Sequence, residues 1–347
     1  MTESYLPKLL EGLQEAVFVL DQDRHVLSSN MAAEKLFGQR NVGEDFVKVV
    51  RNPDCLSAVA EVLSQDEGAK QVNIVEASAK TNLQVNVVSL GSDNADGARV
   101  LVSVKDLSDQ RDAEQMRSDF VANVSHELRS PLTALSGFIE TVTDLQDTDT
   151  VDRSRFLGLM NVEAQRMIRL ISDLLSLSKV ESRQRQRPIG NANIPAILNQ
   201  VSTTLNDLAT RESVTIDVSI PDGLPDIPGS DDELTQVFQN LIENSIKYGR
   251  RDSQVSIKAY TDENVPGLRG PALVIEVSDE GEGIAQQHLA RLAERFYRVD
   301  PHRSRNKGGT GLGLAIVKHI INRHRGRLSI TSTENVGSRF IVALPMA

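Results

Sequence analysis

Between Asp106 and Leu145 apolar residues recur at intervals of three and four: Met116, Phe120, Val124, Leu128, Pro131, Leu135, Phe138, Val142 and Leu145. That spacing predicts one long amphipathic helix. A break at "QDTDTVD" precedes a second stripe, Phe156, Met160, Met167, Leu170, Leu174 and Leu177, which "ESRQRQRPIG" ends. Two long helices with such narrow stripes cannot bury themselves alone. An antiparallel hairpin that pairs with a second copy into a dimeric four-helix bundle satisfies both, and this fixes the middle of the chain.

The flanks carry other periods. "QEAVFVLDQDRHVLSS" (14–29) reads as two strands around "DQDR", and "NMAAEKLFG" as a short helix stopped by Gly38. "LQVNVVSL" (83–90) and "ARVLVSVKDL" (98–107) alternate apolar and polar residues on either side of the turn-rich "GSDNADG". A compact α+β domain ending near Leu107 is expected. Beyond Asn191, the strand-like segments 214–220, 254–260, 272–278, 327–333 and 338–345 are separated by helical "DELTQVFQNLIENSIKYG" and "LGLAIVKHIINRH". That alternation predicts an α/β layered domain. The expected division is 1–107, 108–185 and 190–347, with a charged hinge at Arg183 to Pro188.

Composition narrows the function classes. A formal net charge of -10 opposes nonspecific attraction to nucleic acid or an anionic bilayer, so no direct nucleic-acid partner is expected. Cys55 is the only cysteine, which excludes a disulfide framework and a cysteine-built zinc site. No stretch approaches about 18 apolar residues, and the N-terminus lacks a cationic region and a cleavage site. The chain as given reads as cytoplasmic, with an upstream anchor left open.

Chemistry concentrates first in "NVSHELRSPL" (123–132). At about 100° per residue His126 lies opposite the stripe residues Val124 and Leu128, and Ser130 shares its face. Pro131 removes a helical hydrogen bond and presses on the carbonyl of Glu127, at a cost of roughly 3 kcal/mol if uncompensated. Glu127 can polarise an imidazole through one ring nitrogen and leave the other nucleophilic.

Later segments add a nucleotide chemistry. Asn240 and Asn244 stand four apart on one helix, with Lys247 a turn on. Neutral amide oxygens suit a magnesium ion that takes its anionic ligands from phosphates. Asp279 precedes Gly281 and Gly283, whose missing side chains let a flat ring approach the backbone. In "GGTGLGLA", Gly309, Gly311 and Gly313 precede a helix whose free amides can face phosphate oxygens. The spacing fits neither a P-loop nor a dinucleotide fingerprint. "YRVDPHRSRNKGG" reads as a mobile lid, with Arg298 the candidate for stabilising charge on a transferred phosphoryl group; Arg303, Arg305 and Lys307 carry no assigned role.

"FVANVSHELRSPLTAL" resembles the H box of the sensor histidine kinases of two-component systems. "QNLIENSIKYG" resembles their N box, "DEGEGI" the G1 box, "ERFYRVD" the F box and "GGTGLGLAIV" the G2 box, in the family's order over residues 110 to 347. The resemblance implies a homodimeric bundle and an α/β-sandwich ATP-binding domain of the gyrase type. It implies ATP-dependent phosphorylation of His126 with Glu127 as base, then transfer to an aspartate of a response regulator. It assigns magnesium to Asn244, nucleotide contacts to Asn240, Lys247 and Tyr248, and the adenine amino group to Asp279. Phosphates fall to Gly309, Thr310, Gly311, Leu312 and Gly313. Ser130 stands where threonine or asparagine is common, which bears on dephosphorylation of the regulator.

Two alternatives differ in class. A gyrase- or MutL-type ATP clamp would need a water-activating glutamate where Asn240 stands. A non-catalytic signalling pseudokinase would have lost one of the boxes, and all are present. The segment "EAVFVLDQDRHVLSSNMAAEKLFG" resembles a PAS sensor domain, and "RNPDCLSAV" resembles the phosphate-regulon sensor kinases, which implies a PhoB-like regulator and a membrane-associated signalling partner. His25 and Cys55 sit in no haem or flavin motif.

Overall fold

The computed structural model describes residues 6–38, 41–65, 68–76, 81–91, 96–144, 150–183, 186–300 and 307–346. The chain divides into two compact units, Met1–Ala122 and Asn123–Ala347.

In the first unit, α1 (Leu6–Glu11) precedes β1 (Ala16–Leu20), β2 (Val26–Ser29), α2 (Met31–Phe37), α3 (Phe46–Val49), α4 (Pro53–Gln65), β3 (Ala69–Glu76), β4 (Thr81–Ser89) and β5 (Val100–Asp106). The strands form one antiparallel sheet in the order β2-β1-β5-β4-β3. The expected hairpin and its helix are present. Gly38 stops α2 in the left-handed region at φ 93°, where glycine alone pays no steric penalty. Alternation along β5 buries Val100, Val102 and Val104 on one face, against Phe18 and the Ala58–Val59–Val62 face of α4. Phe18 meets Phe37 and Phe46 edge-on at 5.5 Å. Cys55 belongs to this core, and burial pushes its thiol up to about 11, the behaviour of a packing residue. Asn30 caps α2 through Ala33 N, accepts from Val17 N, and donates to Leu10 O and Glu15 O, so a buried amide fastens α1 to the sheet.

The helix α5 (Ser108–Asp144) continues through Pro131 and crosses from the first unit into the second. Within the second unit it is followed by α6 (Thr150–Ser182), β6 (Asn191–Ala192), α7 (Ile194–Glu212), β7 (Val214–Ser219), β8 (Ile227–Pro228), α8 (Asp231–Tyr248), β9 (Ser253–Asp262), β10 (Ala272–Asp279), α9 (Gln286–Leu289), α10 (Gly313–Arg323), β11 (Arg327–Thr333) and β12 (Gly337–Pro345). The α6 stripe expected from the sequence is the sheltered face, with Leu170 and Leu177 buried, and Phe156 meets Phe138 of α5 at 6.0 Å. A second apolar row on α6, Ile168, Ile171 and Leu175, is exposed, as are Leu132 and Ile139 on α5. The loop "QDTDT" and Leu145 lie mostly outside the described residues.

A five-stranded sheet, β11-β12-β10-β9-β7, forms the base of the C-terminal part, antiparallel except for the parallel β7–β9 pair. The helices α7, α8 and α10 pack together above it, and Leu234, Phe238, Leu241 and Ile242 of α8 are fully buried. This apolar row, i, i+4, i+7, i+8, turns the opposite, polar face of α8 outward. The α7 helix was not expected from the sequence, because its apolar positions are diluted by threonine and asparagine; Asn193 caps it through Ala196 N. Buried His324 at the end of α10 accepts from Ser230 N, and its Nδ1 bonds Ile320 O at 2.8 Å. Arg323 beside it donates to Gln186 O and pairs with Glu233, pinning the segment after α6 to this domain.

Candidate active site

The polar face of α8 opens onto a cavity of about 620 Å³. Asn240, Asn244, Lys247 and Tyr248 line it from α8, Asp279 from the end of β10, Gly283 and Arg298 from the segments that follow, and Gly309, Thr310, Gly311 and Gly313 from the turn into α10. Of the nucleotide residues expected from the sequence, Gly281 and Leu312 alone are outside the lining.

Asp279 is buried, and desolvation raises its carboxyl pKa against the opposing effect of bonds from Gly281 N and Ser338 N. Both bonds go to Oδ1, at 2.9 and 3.2 Å, so Oδ2 remains for a donor in the cavity. The glycines that follow have a structural reason besides the expected one. A Cβ at Gly281 would strike Tyr248 O, and one at Gly283 would strike Thr333 O. The protein's own backbone by itself excludes side chains there.

Asn240 donates to Gln236 O at 3.0 Å, and its Oδ1 lies against Gly313. Lys247 pairs with Glu243 at 2.5 Å. Lys307 bonds Lys247 O and sits 5.7 Å from the centroid of the Tyr248 ring, which gives it a place that the sequence had not. Arg303 and Arg305 lie outside the described residues.

The segment around Arg298 is locked to the glycine turn. Phe296 N donates to Gly311 O at 2.8 Å, with Phe296 itself at φ 62° and Gly311 at φ 74°. A Cβ at Gly311 would sit 2.9 Å from the Phe296 backbone. This strained interlock aims Arg298, whose Nη2 donates to Thr310 O at 2.8 Å. The same guanidinium reaches α5 and pairs with Glu127 through Nη1 and Nη2. Arg166 of α6 also donates to Glu127, at 3.2 Å, and lies 3.6 Å from Glu163. Glu127 is thus engaged by two arginines, where the sequence had read it as a partner of the His126 ring. His126 and Ser130 are exposed on the adjoining face, as the helical phase required.

Helix α6 supplies three cavity residues that the sequence reading missed: Arg169, Ser172 and Asp173. Thr310 Oγ1 donates to Asp173 Oδ2 at 2.7 Å. Burial raises the Asp173 carboxyl, with the Thr310 bond opposing. Glu181, at the end of α6, receives Arg295 at 2.6 Å and lies 3.4 Å from His319. The signal for these residues was the polar spacing 166, 169, 173 beside the apolar stripe, which reads equally well as a solvated helix edge.

The model of the His Kinase A (phospho-acceptor) domain matches residues 116–183, and that of the histidine kinase-, DNA gyrase B- and HSP90-like ATPases matches 229–347. Among curated proteins, the phosphate regulon sensor protein PhoR of Pseudomonas aeruginosa is 35% identical over 333 residues, 95% of this chain and 71% of that protein. This chain belongs to the sensor histidine kinases. The sensor protein kinase WalK of Staphylococcus saprophyticus is 31% identical over 98% of the kinase, which spans 55% of that relative. Among solved structures, histidine kinase ThkA in complex with response regulator protein TrrA covers 100% of the kinase and 99% of the ThkA chain at a TM-score of 0.53 and 18% identity, a likeness of fold. The cavity residues from α8 to the Gly309–Gly313 turn lie within the ATPase match, and the match to the phospho-acceptor domain contains His126. Among the described residues no helix is long and apolar enough to cross a membrane.

Proposed function

We propose that the chain transfers the γ-phosphoryl group of ATP to His126 and passes it on to an aspartate of a response regulator. The observation that carries this reading is the Arg298–Glu127 pair: a cavity residue of the ATP domain holds the residue next to His126. A ring nitrogen of His126 attacks phosphorus as the bond to ADP breaks, and the ring proton leaves to Glu127. For both steps Arg298 must exchange the Glu127 carboxylate for phosphoryl oxygens, which frees the base and places a cation on the developing charge.

Asn244 lines the cavity and has no side-chain partner among the described residues, so its amide oxygen fits a magnesium ion held mainly by phosphates. Such an ion supplies charge neutralisation of the triphosphate. Asp279 orients the adenine through Oδ2, and Lys247, Tyr248 and the Gly309–Gly313 turn take the remaining nucleotide contacts.

Four further elements belong to this reading. The exposed apolar rows of α5 and α6 fit a homodimeric four-helix bundle. The sheet order of the first unit and its helices support a PAS-like sensor domain. Ser130, exposed one turn after His126, can hold a water for dephosphorylating the regulator. The identity to PhoR favours a phosphate-regulon type of kinase with a PhoB-like regulator, and with a membrane-associated signalling partner.

Incubation with labelled ATP and magnesium should yield an acid-labile, alkali-stable phosphate. Label that persists in His126→Ala would refute the acceptor.

A further inference from the structure

The face of α6 that meets the ATP cavity carries a cation and an anion one turn apart. The Arg169 guanidinium lies beside Gly308, where its Nη2 would be 3.0 Å from an added Cβ. Asp173 accepts from the Thr310 hydroxyl at 2.7 Å, and that hydroxyl in turn accepts from Leu312 N at 3.2 Å. Asp173 is therefore bonded into the turn that lines the cavity ahead of α10. An anion at this turn opposes a second one. Phosphate oxygens approaching this turn meet a carboxylate already bonded to its hydroxyl, in partly desolvated surroundings where like charges repel more strongly than in water. Glu243 across the cavity adds to the negative field, while Lys247 and Arg169 oppose it.

We propose that Asp173 sets the nucleotide affinity of the kinase: its carboxylate competes with nucleotide phosphate for the Thr310 turn, while Arg169 on the same helix draws phosphate in. The proposal rests on the reading of this cavity as the ATP site. It makes α6 part of that site, so that any shift of α6 relative to the turn changes the affinity for nucleotide. Asp173 acts by charge and placement and takes no part in the chemical step.

The opposite signs of the two residues separate this role from a structural one. Titration calorimetry of the full chain with magnesium-ADP should give Asp173→Asn a dissociation constant at least about tenfold lower than that of the parent, or about 1.4 kcal/mol. Asparagine keeps an acceptor for Thr310 and removes the charge. Arg169→Ala should bind more weakly. A mere packing defect would weaken both, and circular dichroism melts check that each variant folds. Asp173→Ala should move affinity in the same direction as Asp173→Asn and serves if the latter does not fold. Unchanged or weaker binding by the Asp173 variants overturns the proposal. Weakening confined to magnesium-ADP and absent with ADP alone would make Asp173 a metal partner, which also overturns it. Parent protein that binds no nucleotide would bring down the ATP-site reading itself, and this proposal with it.

Discussion

Arg298 grips Glu127 with both terminal nitrogens, Nη1 to Oε1 at 3.3 Å and Nη2 to Oε2 at 3.0 Å, across 171 residues of sequence. The Arg298 side chain is 6% exposed and that of Glu127 17%, so water screens the pair little. Its Nε is buried with no hydrogen-bond partner among the described residues. A guanidinium that is held at two of its three nitrogens is restrained and still has a donor to offer.

This pair should couple in a double-mutant cycle. Glu127→Ala leaves Arg298 buried without its counter-charge, and Arg298→Ala takes one guanidinium from Glu127. Removing one partner of a buried pair costs about 3–5 kcal/mol where burial is complete, and less here. The initial rate of His126 labelling should fall in each single variant. The double variant should fall by less than the product, with a coupling of about 1 kcal/mol or more. Additive losses would mean that the two residues act independently.

The interlock that aims Arg298 should be intolerant of one methyl group. In Gly311→Ala the new Cβ meets the Phe296 backbone, and the residue keeps a φ that alanine adopts poorly. Both effects destabilise, together by about 1–3 kcal/mol. Because the damage is confined to the turn and the loop that carries Arg298, phosphate labelling should fall by ten- to a hundredfold while the far-ultraviolet circular dichroism is retained. A normal labelling rate would show that the turn can relax without moving Arg298.

What was legible in the sequence was what local chemistry dictates. The stripe from Phe120 to Val142, the strands around β10, and the polar residues Asn240, Asn244 and Asp279 all follow from period and residue type, and the structure gathers the nucleotide residues around one cavity. Glycine was legible only as freedom. That Gly281 is required by the Tyr248 carbonyl is a long-range fact with no local trace. Charge partners were the least legible. Nothing beside Glu127 in sequence signals Arg166 and Arg298, which reach its carboxylate from 39 and 171 residues away in charge-assisted pairs. Asp173 and Arg169 have no assignment from sequence, since helical phase says which residues share a face and leaves open what covers it.

The uncovered row on α6 should behave as a dimer surface. Ile168, Ile171 and Leu175 are spaced three and four apart and are 59%, 46% and 68% exposed, the pattern of a coiled-coil seam rather than of a solvated face. Leu175→Glu should shift the protein to the monomer mass in size-exclusion chromatography with light scattering. Magnesium-ADP affinity should stay near that of the parent. A dimer mass that survives in Leu175→Glu and in Ile168→Glu would place the interface elsewhere.

Acid should destabilise the ATP domain through His324. Burial lowers the pKa of this imidazole, opposed by its bond to Ile320 O and by nearby Glu233. The folded state therefore resists a proton that the unfolded chain accepts near the usual histidine value of about 6.5, so the unfolded state binds more protons and stability rises with pH across this interval. The stabilising effect of a neutral His324 is present above about pH 6.5 and is lost as pH falls from there toward the depressed folded value. His319, also lowered chiefly by burial, acts in the same direction. Urea midpoints for the transition that includes α8 and α10 should fall between pH 7.5 and pH 5.5. In His324→Asn, which has an amide in place of the titrating ring, the overall midpoint should be lower and its fall over the same range shallower. An equally steep fall in that variant would assign the acid sensitivity to His319 or to the carboxylates.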